Sequence, residues 1–326
     1  MRGDVYEQSR WLAVKAAQMY YLENCSQDQI AAQLRISKST VSRLLKRARE
    51  QGYIQFLIPD NYEGCLDAEE SLHQRFNLMD VIVVPERFAS ELSDGTSEPM
   101  RHLVAMEGAR YLQRILTPRD ILGIGWGRTM GLLVNYLNPC QRTNIPFVTM
   151  HGSIKEVDPA LDVEYLVRRI TMAFGGRYLS LNKSALCASE AELAEVMKEE
   201  SVRKVFQMMD KITITISSLG SFYPTVTSPL ADTQYFTDKE LNYFCDHDAR
   251  CDLMLRFIDK DGKEIESSIQ KRTLGVDLDT LRHIPCKIIV ANGKDKAAAV
   301  LTALKARLIS VLIIDEALAQ ELLNME

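Results

Sequence analysis

The chain has 326 residues, 46% hydrophobic and 25% charged, and its net charge of −5 is spread unevenly. Residues 1–60 hold nine Lys/Arg against six Asp/Glu, and the remainder holds 30 against 38, so a basic head precedes an acidic body. The length suits two domains, no apolar run reaches the roughly 18–20 residues that cross a bilayer, and the polar start Met1-Arg2-Gly3-Asp4 lacks a signal peptide's apolar core. A cytoplasmic protein is expected.

Three helices can be read in the head. The first, over residues 8–22, carries an apolar stripe of Leu12, Ala16, Met19 and Tyr20. The second opens on Ser26-Gln27-Asp28-Gln29, a capping-box pattern, and turns Ile30, Ala31 and Leu34 inward. The third is capped by Ser37 and places Val41, Leu44, Leu45 and Ala48 at helical spacing. The tight turn Leu34-Arg35-Ile36-Ser37 joins the last two, with Ile36 as its apolar plug. This is helix-turn-helix spacing, in which the second member of the pair enters the major groove.

With that apolar stripe facing the core, Ser39, Ser42, Arg43 and Lys46 project outward, flanked by Lys38 and Thr40. Hydroxyls and cations are what phosphates and base edges accept, and arginine pairs with guanine O6/N7. Ser26, at the start of the second helix, joins this candidate DNA-binding set. An unrelated three-helix bundle with a solvated basic face is the alternative. Gln51-Gly52 ends the helix, residues 53–58 read as a strand that could form a minimal wing, and residues 60–65 read as a linker. The expected domains are 1–59, the linker 60–65, and 66–326.

Beyond the linker, short apolar runs (81–84, 121–124, 147–150, 212–217, 251–257, 287–291, 311–314) alternate with helical patterns (99–116, 160–174, 190–208, 294–304). Strands covered by helices on both faces predict a mostly parallel, Rossmann-like α/β sheet, with ligands at the strands' carboxyl ends. Three strand ends run into glycine: Gly123-Ile124-Gly125-Trp126-Gly127-Arg128-Thr129, Leu219-Gly220-Ser221 and Asn292-Gly293-Lys294-Asp295-Lys296. The first suits a phosphate or sugar-hydroxyl cradle. As a dinucleotide fingerprint it is poor, because its spacing is G-x-G-x-G and the next strand offers no acid for a ribose. Lys294 and Lys296 oppose the dipole of the helix they open, which a bound anion or an ion pair would rationalise.

The seven cysteines form no C-x-x-C pair. Cys245, His247 and Cys251 cluster, but a fourth ligand is missing and Cys251 opens an apolar strand, so no metal is expected. Asp259-Lys260-Asp261-Gly262 reads as a hairpin turn rather than a calcium loop. No cofactor is indicated. His151 and His247 are the histidines to test as bases, were the body an enzyme.

The whole chain resembles the SorC family of bacterial sugar-responsive transcriptional regulators. The resemblance rests on the head, on Gly123-Ile124-Gly125-Trp126-Gly127-Arg128-Thr129, on Leu274-Gly275-Val276-Asp277-Leu278-Asp279-Thr280-Leu281, and on the segments 291–296 and 311–316. It implies a winged-helix-like head on a sugar-phosphate-isomerase-like effector domain. It further implies a homodimer or homotetramer on operator DNA of a carbohydrate-related operon, with a sugar or sugar phosphate as effector. By position it implies an effector pocket of Gly125, Gly127, Arg128, Thr129, Asp252 and Lys296. The chain departs from the family's Gly-Ala-Val-Gly-Asp run with Asp248-Ala249-Arg250-Cys251-Asp252, where Arg250 could enter or block the pocket. A second departure is Asn292 in place of a glycine. A sugar-phosphate-converting enzyme with an appended DNA-binding head is the alternative reading.

Overall fold

The computed structural model describes residues 2–23, 25–54, 60–87, 98–140, 142–232 and 235–325. The chain divides into two compact units, Met1–Pro59 and Asp60–Glu326.

The head is built from α1 (Arg2–Tyr21), α2 (Gln27–Leu34) and α3 (Lys38–Glu50). Ser26 and Gln29 close a reciprocal capping box, with Ser26 N–H donating to Gln29 Oε1 at 2.8 Å and Gln29 N–H to Ser26 Oγ at 3.3 Å. Ser37 Oγ accepts from Thr40 N–H at 3.1 Å and so starts α3. Arg35 closes α2 in the left-handed region (φ 53°), which turns the chain sharply into α3. Val41, Leu44, Leu45 and Ala48 are buried against Ile30 and α1. On α1 the buried face is shifted from the expected stripe: Ala13, Ala16, Ala17 and Met19 are buried, Leu12 is half-buried and Tyr20 is exposed. Small alanines let the helices approach closely, and the larger Tyr20 is displaced outward. The expected wing falls mostly on residues 55–58, which lie outside the described residues.

Residues 60–65, expected as a linker, are helical. They open α4 (Asp60–Phe76), because Cys65, Ala68 and Leu72 form a stripe buried against the body. The body then runs β1 (Asp80–Val84), α5 (Glu98–Ile115), β2 (Leu122–Ile124), α6 (Arg128–Leu133), β3 (Pro146–Thr149), α7 (Val163–Phe174) and β4 (Arg177–Leu179). It continues with α8 (Glu190–Val196), α9 (Glu200–Met209), β5 (Ile214–Ser217), β6 (Gly220–Ser221), α10 (Asp238–Asp246), β7 (Ala249–Leu253) and β8 (Arg256–Asp259). The last elements are α11 (Leu278–His283), β9 (Cys286–Val290), α12 (Ala297–Lys305), β10 (Val311–Asp315) and α13 (Glu316–Asn324).

Seven strands form one parallel sheet in the order β1-β10-β9-β5-β2-β3-β4. Alternate residues of a strand feed opposite cores: Phe147, Ile288 and Ile313 pack on one face, Val148, Ile289 and Leu312 on the other. From β2 the chain steps outward to β3 and β4, then returns to place β5 on β2's other side. That reversal opens a crevice beyond the carboxyl ends of β2 and β5, where open α/β sheets bind ligands.

The apolar run 251–257, expected as one strand, is a hairpin. Residues β6-β7-β8 form a separate antiparallel sheet, and Met254 and Leu255 make the β7–β8 turn at φ 51° and 67° while fully buried. Two apolar side chains in the left-handed region carry no turn signal in sequence, so the run reads as continuous.

Candidate functional site

The carboxyl-end crevice holds a narrow, partly open cleft, whose polar walls include Arg101, Arg128, Thr129, Thr227, Asp252 and Lys296. β2 delivers the glycine turn, α5 delivers Arg101, β7 delivers Asp252, and the turn after β9 delivers Lys296. Gly127 also lines the cleft, at φ 130°, a backbone conformation that a side chain would strain. Asp315 fixes the Lys296 turn. Its Oδ2 accepts from Gly293 N–H at 2.7 Å, and its Oδ1 caps α13 by accepting from Leu318 N–H at 2.9 Å.

Asp252 is 3% exposed. Ser228 Oγ donates to its Oδ2 at 2.7 Å, and Oδ1 has no hydrogen-bond partner. Burial pushes its carboxyl up to about 6, against the opposing pull of Ser228, the Leu255 N–H and Lys296. Leu255 reaches Asp252 because of the buried hairpin turn. The Lys296 amine is brought down to about 8, first by burial and then by Arg128 and Arg101, with Asp315 acting the other way. Arg128 Nη2 donates to Thr227 O at 2.7 Å. Three cations thus converge opposite one buried carboxylate with an open acceptor, a pattern suited to an anionic ligand that also carries a hydroxyl.

Of the six effector-site residues expected, the structure gathers Gly127, Arg128, Thr129, Asp252 and Lys296 around the cleft. Gly125 lies behind it. A Cβ there would sit 2.3 Å from Ser217 Oγ and 3.2 Å from Met254 Cγ, so its role is first to let Ser217 at the end of β5, and then the β7–β8 hairpin tip, pack against the glycine turn. Gly125→Ala is expected to destabilise the body by about 1–3 kcal/mol. The check is urea unfolding followed by the buried Trp126 in a Trp11→Phe background, with partial recovery on adding Ser217→Gly. Arg101 was not legible in the sequence, because it sits on a helix that precedes the glycine turn by more than twenty residues.

Arg250 neither enters nor blocks the cleft; its guanidinium lies over the Tyr223 ring, 3.9 Å from the centroid. His151 is fully buried outside the cleft lining, with Nδ1 2.8 Å from Gly152 O, and burial lowers its pKa to about 4. His247 is exposed and stacks on Tyr243 at 3.8 Å. Cys251 is buried in β7 and Cys245 is exposed on α10. Among the described residues, no three His, Cys, Asp or Glu side chains gather as metal ligands. Asp259 Oδ1 accepts from the N–H groups of Asp261 and Lys263, both at 2.9 Å, closing a turn.

On the head, Lys38, Ser39, Ser42, Arg43 and Lys46 are exposed along α3, Thr40 is half-buried, and Ser26 is exposed while capping α2. Ser37 Oγ lies 2.8 Å from both Ser39 Oγ and Thr40 Oγ1. Arg43 reaches back to Ser39 O (3.4 Å) and Thr40 Oγ1 (3.5 Å), which draws its guanidinium toward the start of the helix. Lys38 pairs with Asp28 at 2.8 Å and Lys46 with Glu50 at 3.7 Å, both at the surface. Among the described residues no helix is long and apolar enough to cross a membrane.

Comparison with known proteins agrees with both units. A family model described as "Putative sugar-binding domain" matches residues 60–324, and one described as "Sigma-70, region 4" matches residues 18–51. The chain is 30% identical over 311 residues to the transcriptional regulator YjhU of Escherichia coli K12, covering 95% of this chain and 94% of that one. It is 31% identical over 316 residues to the deoxyribonucleoside regulator of Bacillus subtilis, covering 96% and 97%. The crystal structure of the full-length sorbitol operon regulator SorC from Klebsiella pneumoniae superposes with a TM-score of 0.74 at 27% identity, covering 96% and 98%. With a helix-turn-helix head, a sugar-binding α/β domain and near-complete overlap with these regulators, the chain belongs to the SorC family of transcriptional regulators.

Proposed function

We propose that the chain is a cytoplasmic homo-oligomer, a dimer or tetramer, that regulates a carbohydrate-related operon under control of a phosphorylated sugar held in the cleft. The observation carrying this reading is the convergence of Arg101, Arg128 and Lys296 opposite the open oxygen of Asp252. The cations take the phosphate, and Asp252 Oδ1 accepts from a sugar hydroxyl. Two relatives, a sorbitol operon regulator and a deoxyribonucleoside regulator, support a carbohydrate setting. On the head, Arg43 reads base edges, while Ser26, Lys38, Ser39, Thr40, Ser42 and Lys46 hold phosphates or neighbouring bases. The effector acts by binding the DNA-competent and DNA-incompetent arrangements unequally.

Thermal unfolding against matched pairs of sugars and sugar phosphates tests the reading. A phosphorylated member at 100 times its dissociation constant adds about 2.7 kcal/mol, and its free sugar adds far less. Equal shifts for both members of every pair, or none at all, would count against it. We read the cleft as binding rather than catalytic, since neither His151 nor His247 lines it. Turnover of a sugar phosphate that disappears in His151→Ala would reverse that.

A further inference from the structure

One loop holds two of the cleft's polar groups. Residues 222–228 follow β6, and from them Thr227 O accepts Arg128 Nη2 while Ser228 Oγ donates to Asp252, each at 2.7 Å. The loop is tied at its base: Thr227 N–H donates to Ser221 O at 2.8 Å, and Ser221 N–H donates to Thr227 Oγ1 at 3.0 Å. Phe222 roots it in the core, with its ring 5.7 Å from Phe257 and 6.1 Å from Phe244. The next residue, Tyr223, is 50% exposed, yet its ring is covered by the Arg250 guanidinium at 3.9 Å. β7 carries a register irregularity between Ala249 and Cys251, so Arg250 sits at a break in the strand's alternation, two residues before Asp252. Asp248 lies 3.5 Å from Arg250 and is itself 2.6 Å from Lys260.

We infer that Arg250 is a positioning residue for the effector site. By stacking on Tyr223 it holds the 222–228 loop where Thr227 meets Arg128 and Ser228 meets Asp252. The stack thereby sets how tightly the cleft holds its anion. A planar guanidinium suits this, since it covers an aromatic face over a wide area while its edge remains available to Asp248. The inference rests on reading the cleft as the effector site.

Four substitutions in the full chain separate the parts: Arg250→Met removes the cation at similar bulk, Arg250→Lys keeps it, Tyr223→Ala removes the ring and Tyr223→Phe keeps it. Two quantities are read: amide hydrogen exchange over residues 221–228 without ligand, and calorimetric affinity for inorganic phosphate and for glucose 6-phosphate. Arg250→Met and Tyr223→Ala are expected to speed exchange at Thr227 and to weaken the probes about two- to fivefold. Tyr223→Phe should match wild type, and Arg250→Lys should recover part of the loss. Unchanged exchange in Arg250→Met and Tyr223→Ala overturns the inference, as does a Tyr223→Phe defect equal to that of Tyr223→Ala. Should Arg250→Met fold poorly, the Tyr223 pair decides, because that side chain is half exposed. Failure of wild type to bind either probe counts against the cleft as effector site, and the exchange result still decides the stack.

Discussion

Replacing Lys296 by methionine is expected to weaken a phosphorylated effector by about 30- to 1000-fold, and to raise the thermal stability of the unliganded body at pH 7. The first effect follows from removing a cation that meets the ligand inside a cleft, a loss of about 2–4 kcal/mol when a partly desolvated charge pair is truncated. The second follows from the depressed pKa. The Lys296 amine, held near 8 mainly by burial and then by Arg128 and Arg101, carries its charge at a cost in the folded state. Its contribution to stability is present above the unfolded value of 10.5 and lost as pH falls through about 8. Asp252 has the opposite sign, being raised to about 6, so stability present below its unfolded value of 3.8 is lost as pH rises through about 6. At pH 7 both groups are ionised in an empty cleft, and an anion that also offers a hydroxyl relieves both. Affinity should therefore peak between about pH 6 and 8 and fall above 8 as Lys296 deprotonates. Near pH 8 about half the amines are neutral without ligand, so binding should take up close to half a proton per site. Calorimetry in two buffers of different ionisation heat measures that uptake, which should vanish in Lys296→Met. Affinity that stays flat from pH 7 to 9, or is unmoved by the substitution, would remove Lys296 from the site.

The two units differ in how much of this could be read from sequence, and the difference is one of contact range. In the head, Ser26 with Gln29 and Ser37 with Thr40 are satisfied within one turn of helix, and the Val41-Leu44-Leu45-Ala48 stripe repeats at helical spacing, so spacing alone locates them. The α1 face was misplaced because its packing depends on small alanines at positions 13 and 17, which weigh little in an apolar pattern. In the body, the glycine turn after β2 announces itself, since backbone geometry is written in residue type. Lys296 was marked by its glycine turn and its opposition to a helix dipole, whereas Asp252 was reached only through the family resemblance, since no local pattern points to it. Arg101 and the Arg250–Tyr223 stack were not legible, because each depends on which elements the topology brings side by side. The Met254-Leu255 turn is the sharpest case. Its buried left-handed residues place Leu255 N–H on Asp252 and Met254 against Gly125, and an apolar dipeptide gives no hint of either.

Replacing Arg43 by alanine should abolish discrimination of the operator while leaving the head folded. The side chain is exposed and is not among the buried residues that hold α3, so helicity and unfolding temperature should stay at wild-type values. Its guanidinium is drawn along the helix by Ser39 O and Thr40 Oγ1, near the end that enters a major groove first, and is thus partly ordered before DNA arrives. A lost bidentate contact to guanine costs about 1–3 kcal/mol, or roughly 5- to 150-fold for each head. If two heads engage one operator the loss counts twice, and operator affinity approaches the level of random DNA. Arg43→Lys should recover little, because a point charge cannot form the planar pair of bonds. Lys46→Ala provides the contrast. Its amine is exposed beside Glu50, and as a phosphate contact it should weaken operator and random DNA alike, lowering the salt dependence by about one unit. Binding isotherms on operator and scrambled duplexes at several salt concentrations distinguish the two side chains. Equal losses on both duplexes in Arg43→Ala would recast Arg43 as a phosphate contact and pass base reading to Ser39 or Ser42.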